Sequence, residues 1–246
     1  MKEFFIDSDH IRLHAKLEVP DTDNKCPLAV IFHGLTGNME ETHIKAVSDV
    51  FLEKGIASLR VELYGHGNSE GKFEEHTLFK WINNALDVID YVKTLDFVSD
   101  IYITGHSQGG LLTMILAGLR PDDFKAVLPL SPAIVILDAA KSGNFFGMNF
   151  DPAHIPDRLP FMETYLNGNY FRVAQMIDID ELIAKYKGKV LIVHGDEDEA
   201  VPVYYGINAA DQYEDCRLAI IKGDDHCYTH HLEEVIQAIR EFLESI

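Results

Sequence analysis

Short runs of apolar residues alternate along the chain with longer segments in which apolar residues recur every three or four positions. The short runs are rich in Val and Ile and almost continuously apolar, which is typical of strands that are covered on both faces. This alternation predicts a parallel sheet with helices packed on both sides. The predicted strands are PLAVIF from Pro27, IASLRV from Ile56, DIYITG from Asp100, AVLPL from Ala126, KVLIVHG from Lys189 and CRLAII from Cys216.

Two more strands are predicted near the N-terminus, over residues 4–6 and 12–19, where polar and apolar residues alternate. They form a hairpin at an antiparallel edge and bring the predicted sheet to eight strands. Two long segments have helical periodicity: HTLFKWINNALDVIDYVKTL, in which Trp81 falls on the apolar face, and the C-terminal HLEEVIQAIREFLESI. We therefore expect Trp81 in the core and the last helix closing the sheet.

One section, residues 132–179, breaks the rhythm of strands and helices. It combines glycines and prolines with seven aromatic residues, so it is too apolar for a solvated linker and too irregular for another strand and helix. Long ordered segments of this kind are often functional. We predict a single domain over residues 1–246, with residues 132–179 inserted as a cap over the carboxyl edge of the sheet.

Composition narrows the classes of partner. The 246 residues carry a formal charge of −19, which repels nucleic acid and anionic lipid surfaces. No stretch of about 18 apolar residues is present, and the first 20 residues lack the apolar core of a signal peptide. The three cysteines are odd in number and lack CxxC spacing, so reduced thiols are expected. The predicted location is cytoplasmic.

The most specific motif is GHSQG, in which Gly105, Ser107 and Gly109 follow a predicted strand and precede a predicted helix. A tight turn in this context holds the serine in a strained, exposed conformation, and only small flanking residues let the turn close. The start of the helix also stabilises negative charge that develops above the serine. Ser107 is the predicted nucleophile.

A serine hydroxyl needs a base and a group that orients the base. In α/β-hydrolase sheets the serine is followed in the chain by an acid after a later strand and by a histidine after the last one. The later strand KVLIVHG is followed by Asp196 and Asp198. We prefer Asp198, because the Gly-x-x-Asp spacing takes it past the strand end, and expect Asp196 to make an ordinary turn bond. The acidic run lacks EF-hand spacing, so no metal is predicted.

The last strand is followed by GDDHCYTHH, which offers His226, His230 and His231. His226 is the predicted base, because it lies in the loop directly after the strand. His230 and His231 fall where the final helix starts and are expected to face solvent or cap that helix. Packing roles with backbone hydrogen bonds are expected for three other histidines, which are His33, His106 and His194.

The oxyanion that forms during acyl transfer needs about two fixed donors. One is the backbone N–H of Gln108, the residue after the nucleophile. The loop after the first parallel strand, VIFHGLTGN, supplies the other through the backbone N–H of Leu35. The glycine-rich loop LYGHGNSEG misses the spacing of nucleotide-binding motifs, so no nucleotide site is predicted.

Six segments together resemble one family: HGLTGN, YGHGNSEGKFEEHTLFKW, GHSQGG, LSPA, HGDEDEAVP and GDDHCY. In this order, and over nearly the whole chain, they are similar to the intracellular feruloyl (cinnamoyl) esterases of gut and rumen bacteria, within the α/β-hydrolase superfamily. The resemblance implies the same nucleophile, base, acid and oxyanion donors. It also implies that the cap holds an aromatic acid whose ring hydroxyl bonds Asp138 and Tyr170.

The predicted function is therefore a serine carboxylesterase that hydrolyses hydroxycinnamate esters through an acyl-enzyme, without a cofactor or metal. Two alternatives stay open: a monoacylglycerol lipase or general short-chain esterase, and a non-catalytic binding protein on the same fold. The expected partner is a small aromatic ester, with neither nucleic acid nor membrane. The sequence is compatible with a homodimer.

Overall fold

Eight strands form the central sheet of the protein, which a computed structural model describes over residues 1–22 and 24–246. They are β1 (Lys2–Ser8), β2 (Ile11–Glu18), β3 (Cys26–Phe32), β4 (Ala57–Val61), β5 (Val98–His106), β6 (Ala126–Leu130), β11 (Lys189–Gly195) and β12 (Cys216–Ile221). The other four strands are β7 (Asn144–Phe145), β8 (Met148–Asn149), β9 (Arg158–Phe161) and β10 (Thr164–Asn167).

The order across the central sheet is β1-β2-β4-β3-β5-β6-β11-β12. The hairpin of β1 and β2 is antiparallel and β2 pairs antiparallel with β4, whereas all other neighbours are parallel. The prediction of a mostly parallel eight-stranded sheet with an antiparallel edge is confirmed. Because parallel strands end at the same edge, the loops after β3, β5, β11 and β12 are brought together there.

Strand β3 shows why the predicted strands are continuously apolar. Leu28, Val30 and Phe32 point into one core cluster, and the intervening Ala29 and Ile31 point into a second cluster on the opposite face. Both faces of the strand are therefore covered, and a polar residue at either parity would lose its contact with water.

The helices are α1 (Thr42–Glu53), α2 (Leu78–Lys93), α3 (Gln108–Leu119), α4 (Val135–Ser142), α5 (Asn169–Ala174), α6 (Ile179–Lys185), α7 (Tyr204–Gln212) and α8 (Leu232–Glu244). The apolar faces of α1 and α8 pack on one side of the sheet, and those of α2, α3 and α7 pack on the other. Trp81 on α2 is fully buried, as predicted. Across residues 1–22 and 24–246, no helix is both long and apolar enough to cross a membrane.

The N-terminal hairpin differs from its simple alternation at one residue. Leu13 and Ala15 are buried as expected, but His14 between them is also buried. Its ring nitrogens lie 2.9 Å from a carboxylate oxygen of Glu62 and 2.7 Å from one of Glu3. This polar side chain can be buried without an unsatisfied nitrogen, because a carboxylate lies within hydrogen-bond distance of each ring nitrogen.

The predicted cap segment, residues 132–179, contains α4, two short hairpins (β7 with β8, β9 with β10), α5 and the first residue of α6. Its aromatic side chains pack on one another: the ring centroid of Phe171 lies 5.2 Å from that of Phe145 and 4.7 Å from that of Phe150. This packing gives the segment an apolar core that is continuous with the core on the α2 and α3 side of the sheet.

Candidate active site

Ser107 lies at the sharp turn between β5 and α3. Its backbone has φ 57° and ψ −118°, a conformation that costs a non-glycine residue about 1–3 kcal/mol. Hydrogen bonds on both sides hold the turn: the N–H of Ser107 donates to the carbonyl of Leu130, and the Ser107 carbonyl accepts from Leu111 and Ala133. The surrounding backbone therefore compensates for the strain and fixes the hydroxyl at the carboxyl edge of the sheet.

The glycines of the motif are required by close backbone contacts. A Cβ on Gly105 would lie 2.5 Å from the carbonyl oxygen of Gly109, and a Cβ on Gly109 would lie 2.4 Å from that of His33. A Cβ on Gly110 would lie 2.9 Å from the carbonyl oxygen of Leu130. Since these neighbours are main-chain atoms that a rotamer change cannot move, any side chain here would displace the turn.

The structure brings the predicted nucleophile, base and acid into one chain of hydrogen bonds. Nε2 of His226 lies 2.9 Å from Oγ of Ser107, and Nδ1 of the same ring lies 2.7 Å from Oδ2 of Asp198. A carboxylate can only accept, so Nδ1 carries the proton and Nε2 is free to accept from the serine hydroxyl. This arrangement can deprotonate Ser107 while the carboxylate stabilises the imidazolium that results.

Asp198 is held as a buried carboxylate. Burial alone would raise its pKa, but Nε2 of His194, 3.3 Å from Oδ2, and the hydrogen bond from His226 outweigh burial and hold the pKa of Asp198 well below its ordinary value. Its other oxygen, Oδ1, accepts from the backbone N–H groups of Ala200 and Val201, at 2.9 and 2.7 Å. The loop after β11 therefore fixes both the charge and the orientation of this side chain.

In the acidic run DEDE, residues 196–199, only Asp198 is buried and the other three carboxylates are exposed. Asp196 accepts from the backbone N–H of Gly223 at 2.6 Å, so its bond to main chain reaches the loop after β12 rather than its own turn. In the part of the chain that the structure describes, no group of three or more His, Cys, Asp or Glu side chains is arranged to hold a metal ion.

The three histidines expected in packing roles are buried and bonded to backbone. His33 donates from Nδ1 to the carbonyl of Gly34 at 2.8 Å, His106 donates to that of His226 at 2.6 Å and His194 donates to that of Val201 at 2.8 Å. Burial, together with neighbouring histidines, lowers the pKa of His33 to about 3. These rings support the strand ends, whereas His230 and His231 are exposed.

The loop that carries His226 depends on Asp224, which sequence reasoning did not single out. Asp224 is fully buried, and its carboxylate accepts from the backbone N–H groups of Asp225, His230 and His231, at 3.0, 3.1 and 3.3 Å. Its carbonyl oxygen lies where a Cβ on Gly195 would fall, at 2.4 Å. Asp224 thus stabilises the fold of the His226 loop and packs against the end of β11.

The predicted oxyanion donors flank the nucleophile. Gln108 is the first residue of α3, and Leu35 lines the same cavity as Ser107. Over residues 1–22 and 24–246, neither backbone N–H donates to a protein acceptor. Gly34 lies against the site, since a Cβ there would be 3.0 Å from Cβ of Ser107. Two free donors beside the serine are what an oxyanion requires, and their role remains a prediction.

A cavity of about 450 Å³ opens above Ser107 and His226, in the range of small-molecule sites. Most of the side chains that line it are apolar. Leu35, Ala200 and Val201 line it from outside the cap, and the cap contributes Ala133, Val135, Ile136, Phe145, Phe146, Met148, Pro160, Phe161 and Met162.

The two residues predicted to bind a ring hydroxyl do not line this cavity. Asp138 on α4 accepts a hydrogen bond from the hydroxyl of Tyr205 at 2.8 Å. Tyr170 on α5 is fully buried, and its hydroxyl donates to Oε1 of Gln108 at 2.7 Å. Both side chains therefore have protein partners, and their contact with substrate remains a prediction.

Comparison with protein families gives one match: the model of the prolyl oligopeptidase family matches residues 42–245. This range includes the loops after β5, β11 and β12, from which the hydrogen-bonded chain of Ser107, His226 and Asp198 is built. It covers well over half of the chain.

A solved structure resembles this protein over nearly its whole length. Est1E from Butyrivibrio proteoclasticus, solved with ferulic acid bound, superposes with a TM-score of 0.96 and 51% sequence identity, covering 98% of each chain. Two curated relatives are more distant, each 24% identical. Bovine palmitoyl-protein thioesterase ABHD10 matches over 82% of this chain and 67% of its own length, and the thermostable monoacylglycerol lipase of Bacillus sp. matches over 76% and 79%.

Proposed function

This chain belongs to the prolyl oligopeptidase family, and on that premise we propose that it is a serine carboxylesterase that hydrolyses hydroxycinnamate esters, feruloyl esters among them. The observation that carries the proposal is the 51% identity to Est1E, a protein solved with ferulic acid bound. The apolar cavity above Ser107, with aromatic side chains from the cap, supports the same acyl group. Hydroxycinnamates are planar, apolar and aromatic, which matches that lining.

The reaction begins with the ester carbonyl above Ser107. His226 takes the hydroxyl proton at Nε2 as the serine oxygen attacks, and Asp198 stabilises the imidazolium through Nδ1. The carbonyl oxygen becomes an oxyanion that accepts from the backbone N–H groups of Leu35 and Gln108. When the intermediate collapses, the bond to the alcohol breaks and the alcohol leaves with the proton held by His226.

Water then completes the cycle. His226 takes a proton from a water molecule, the hydroxide oxygen attacks the acyl-serine ester, and the proton returns to Ser107 as the acid leaves. The products are one hydroxycinnamic acid and one alcohol. All proton transfers pass through one imidazole, so no cofactor enters the scheme. A cytoplasmic location and a homodimer also remain predictions.

A comparison of acyl groups tests the substrate class. We expect kcat/KM for methyl ferulate to exceed that for methyl butyrate by about tenfold or more, since the two share an alcohol and only the aryl group fills the cap cavity. p-Nitrophenyl butyrate and a monoacylglycerol are measured beside them. p-Nitrophenolate is the better leaving group, and the comparison allows for this. A preference for an aliphatic substrate over methyl ferulate would then show that the protein is a lipase or a short-chain esterase.

A further inference from the structure

The side chain of Gln108 is buried although the residue directly follows the nucleophile. Its side-chain oxygen accepts from the hydroxyl of Tyr170 at 2.7 Å, and both residues are fully buried. The two lie 62 positions apart in the chain, one at the start of α3 and the other on α5 in the cap. This bond joins the cap directly to a residue whose backbone N–H is a predicted oxyanion donor.

Backbone hydrogen bonds from Leu111 and Ala133 to the Ser107 carbonyl hold the start of α3, and the side chain of Gln108 adds a further contact. The helix has no side-chain capping bond at its N-terminus, and the preceding residue, Ser107, has a positive φ. The peptide plane between Ser107 and Gln108 sets the direction of the Gln108 N–H. A side chain that is anchored at its far end restrains the backbone to which it belongs. If the donor moves by about 1 Å, the reaction can slow by about 100-fold.

Tyr170 is itself held rigidly. Its ring centroid lies 5.1 Å from that of His76 and 5.0 Å from that of Phe171. Burial raises the pKa of Tyr170 above its ordinary value, so the hydroxyl keeps its proton and stays a donor at neutral pH. Because a carbonyl oxygen such as Oε1 can only accept, the direction of this hydrogen bond is fixed.

We propose that Tyr170 is a positioning residue: by donating its hydroxyl to the side chain of Gln108, it helps to hold the Gln108 backbone N–H in the oxyanion hole. This inference rests on the proposed function of the site. It differs from a contact with the ring hydroxyl of the substrate, because a positioning role acts on every ester and a ring contact acts only on hydroxylated aryl esters.

Kinetics of Tyr170→Phe separate the two roles. We expect kcat to fall by about 10- to 100-fold for both methyl ferulate and p-nitrophenyl acetate, with KM changed by less than about twofold, because the loss affects the transition state. Gln108→Leu, which keeps the backbone N–H, should show the same loss, and the double variant should be no worse than either single variant. Tyr165→Phe, a cap tyrosine on β10 that does not line the cavity, is the matched control and should keep wild-type kcat.

The backbone amide of Gln108 gives a measurement that needs no turnover. In ¹⁵N-labelled protein we expect its resonance to shift and its hydrogen exchange to accelerate in Tyr170→Phe, but not in Tyr165→Phe. Thermal unfolding checks that both variants are folded. If the wild type cleaves p-nitrophenyl acetate but not methyl ferulate, the substrate class fails while this test still holds.

Two results would overturn the positioning role. One is wild-type kcat on both esters together with an unchanged Gln108 amide in Tyr170→Phe. The other is a loss confined to methyl ferulate, which would assign Tyr170 to the substrate ring instead.

Discussion

Replacing Ser107 with alanine is expected to lower kcat for methyl ferulate by about six orders of magnitude, the loss known for a serine that acts together with its base. The reason is geometric: the Oγ that lies 2.9 Å from Nε2 of His226 is the only atom at the turn that can form the acyl bond in the proposed scheme. The measurement is the release of ferulate, followed by chromatography over hours at high enzyme concentration.

Ser99→Ala is the matched control for that variant. Ser99 lies on the same strand as the turn but at its exposed opposite end, where its hydroxyl bonds Asp100. We expect wild-type turnover from it. Turnover by Ser107→Ala within about tenfold of wild type would show that a different group attacks the ester.

Replacing Asp198 with asparagine is expected to cost about four orders of magnitude in kcat. The amide oxygen can still accept from Ala200 and Val201, but the amide nitrogen would then face Nδ1 of His226. An N–H in that position favours the tautomer with the proton on Nε2, which cannot accept from Ser107. Turnover of methyl ferulate by the purified variant, with its thermal unfolding midpoint as a check on folding, measures this loss.

Asp196→Asn is the control that the DEDE run itself supplies. Asp196 is exposed, and asparagine retains an oxygen that can accept from Gly223. We expect kcat to stay within about threefold of wild type, as for most exposed substitutions. If Asp196→Asn lost the activity and Asp198→Asn kept it, the acid would be the other carboxylate.

The sheet and the hydrogen-bonded chain at its edge could be predicted because both depend on local pattern and chain order. Continuous apolar runs identified the parallel strands, and parallel strands end at one edge. Glycines around Ser107 marked a turn that no larger residue permits. Once the strands are ordered, Asp198 and His226 lie in the loops after β11 and β12, so their approach to Ser107 follows from topology.

Three features leave no pattern in the sequence and could not be predicted. The bond from Tyr170 to Gln108 joins α5 to α3, and no periodicity in either segment indicates it. Asp224 was one of two adjacent aspartates, and only its burial beneath the His226 loop reveals its role. The hairpins of the cap are two to four residues per strand, too short for an alternating pattern to appear.

The central claim is that an aryl ester binds under the cap with its carbonyl at Ser107. The crystal structure of Ser107→Ala with methyl ferulate tests it most directly. We predict that the ring lies between the cap aromatics and that the carbonyl oxygen of the ester lies about 2.7–3.1 Å from the N–H groups of Leu35 and Gln108. The ester oxygen that carries the methyl group is predicted to face His226. A ring bound outside the cavity, or a carbonyl directed away from both N–H groups, would contradict the account.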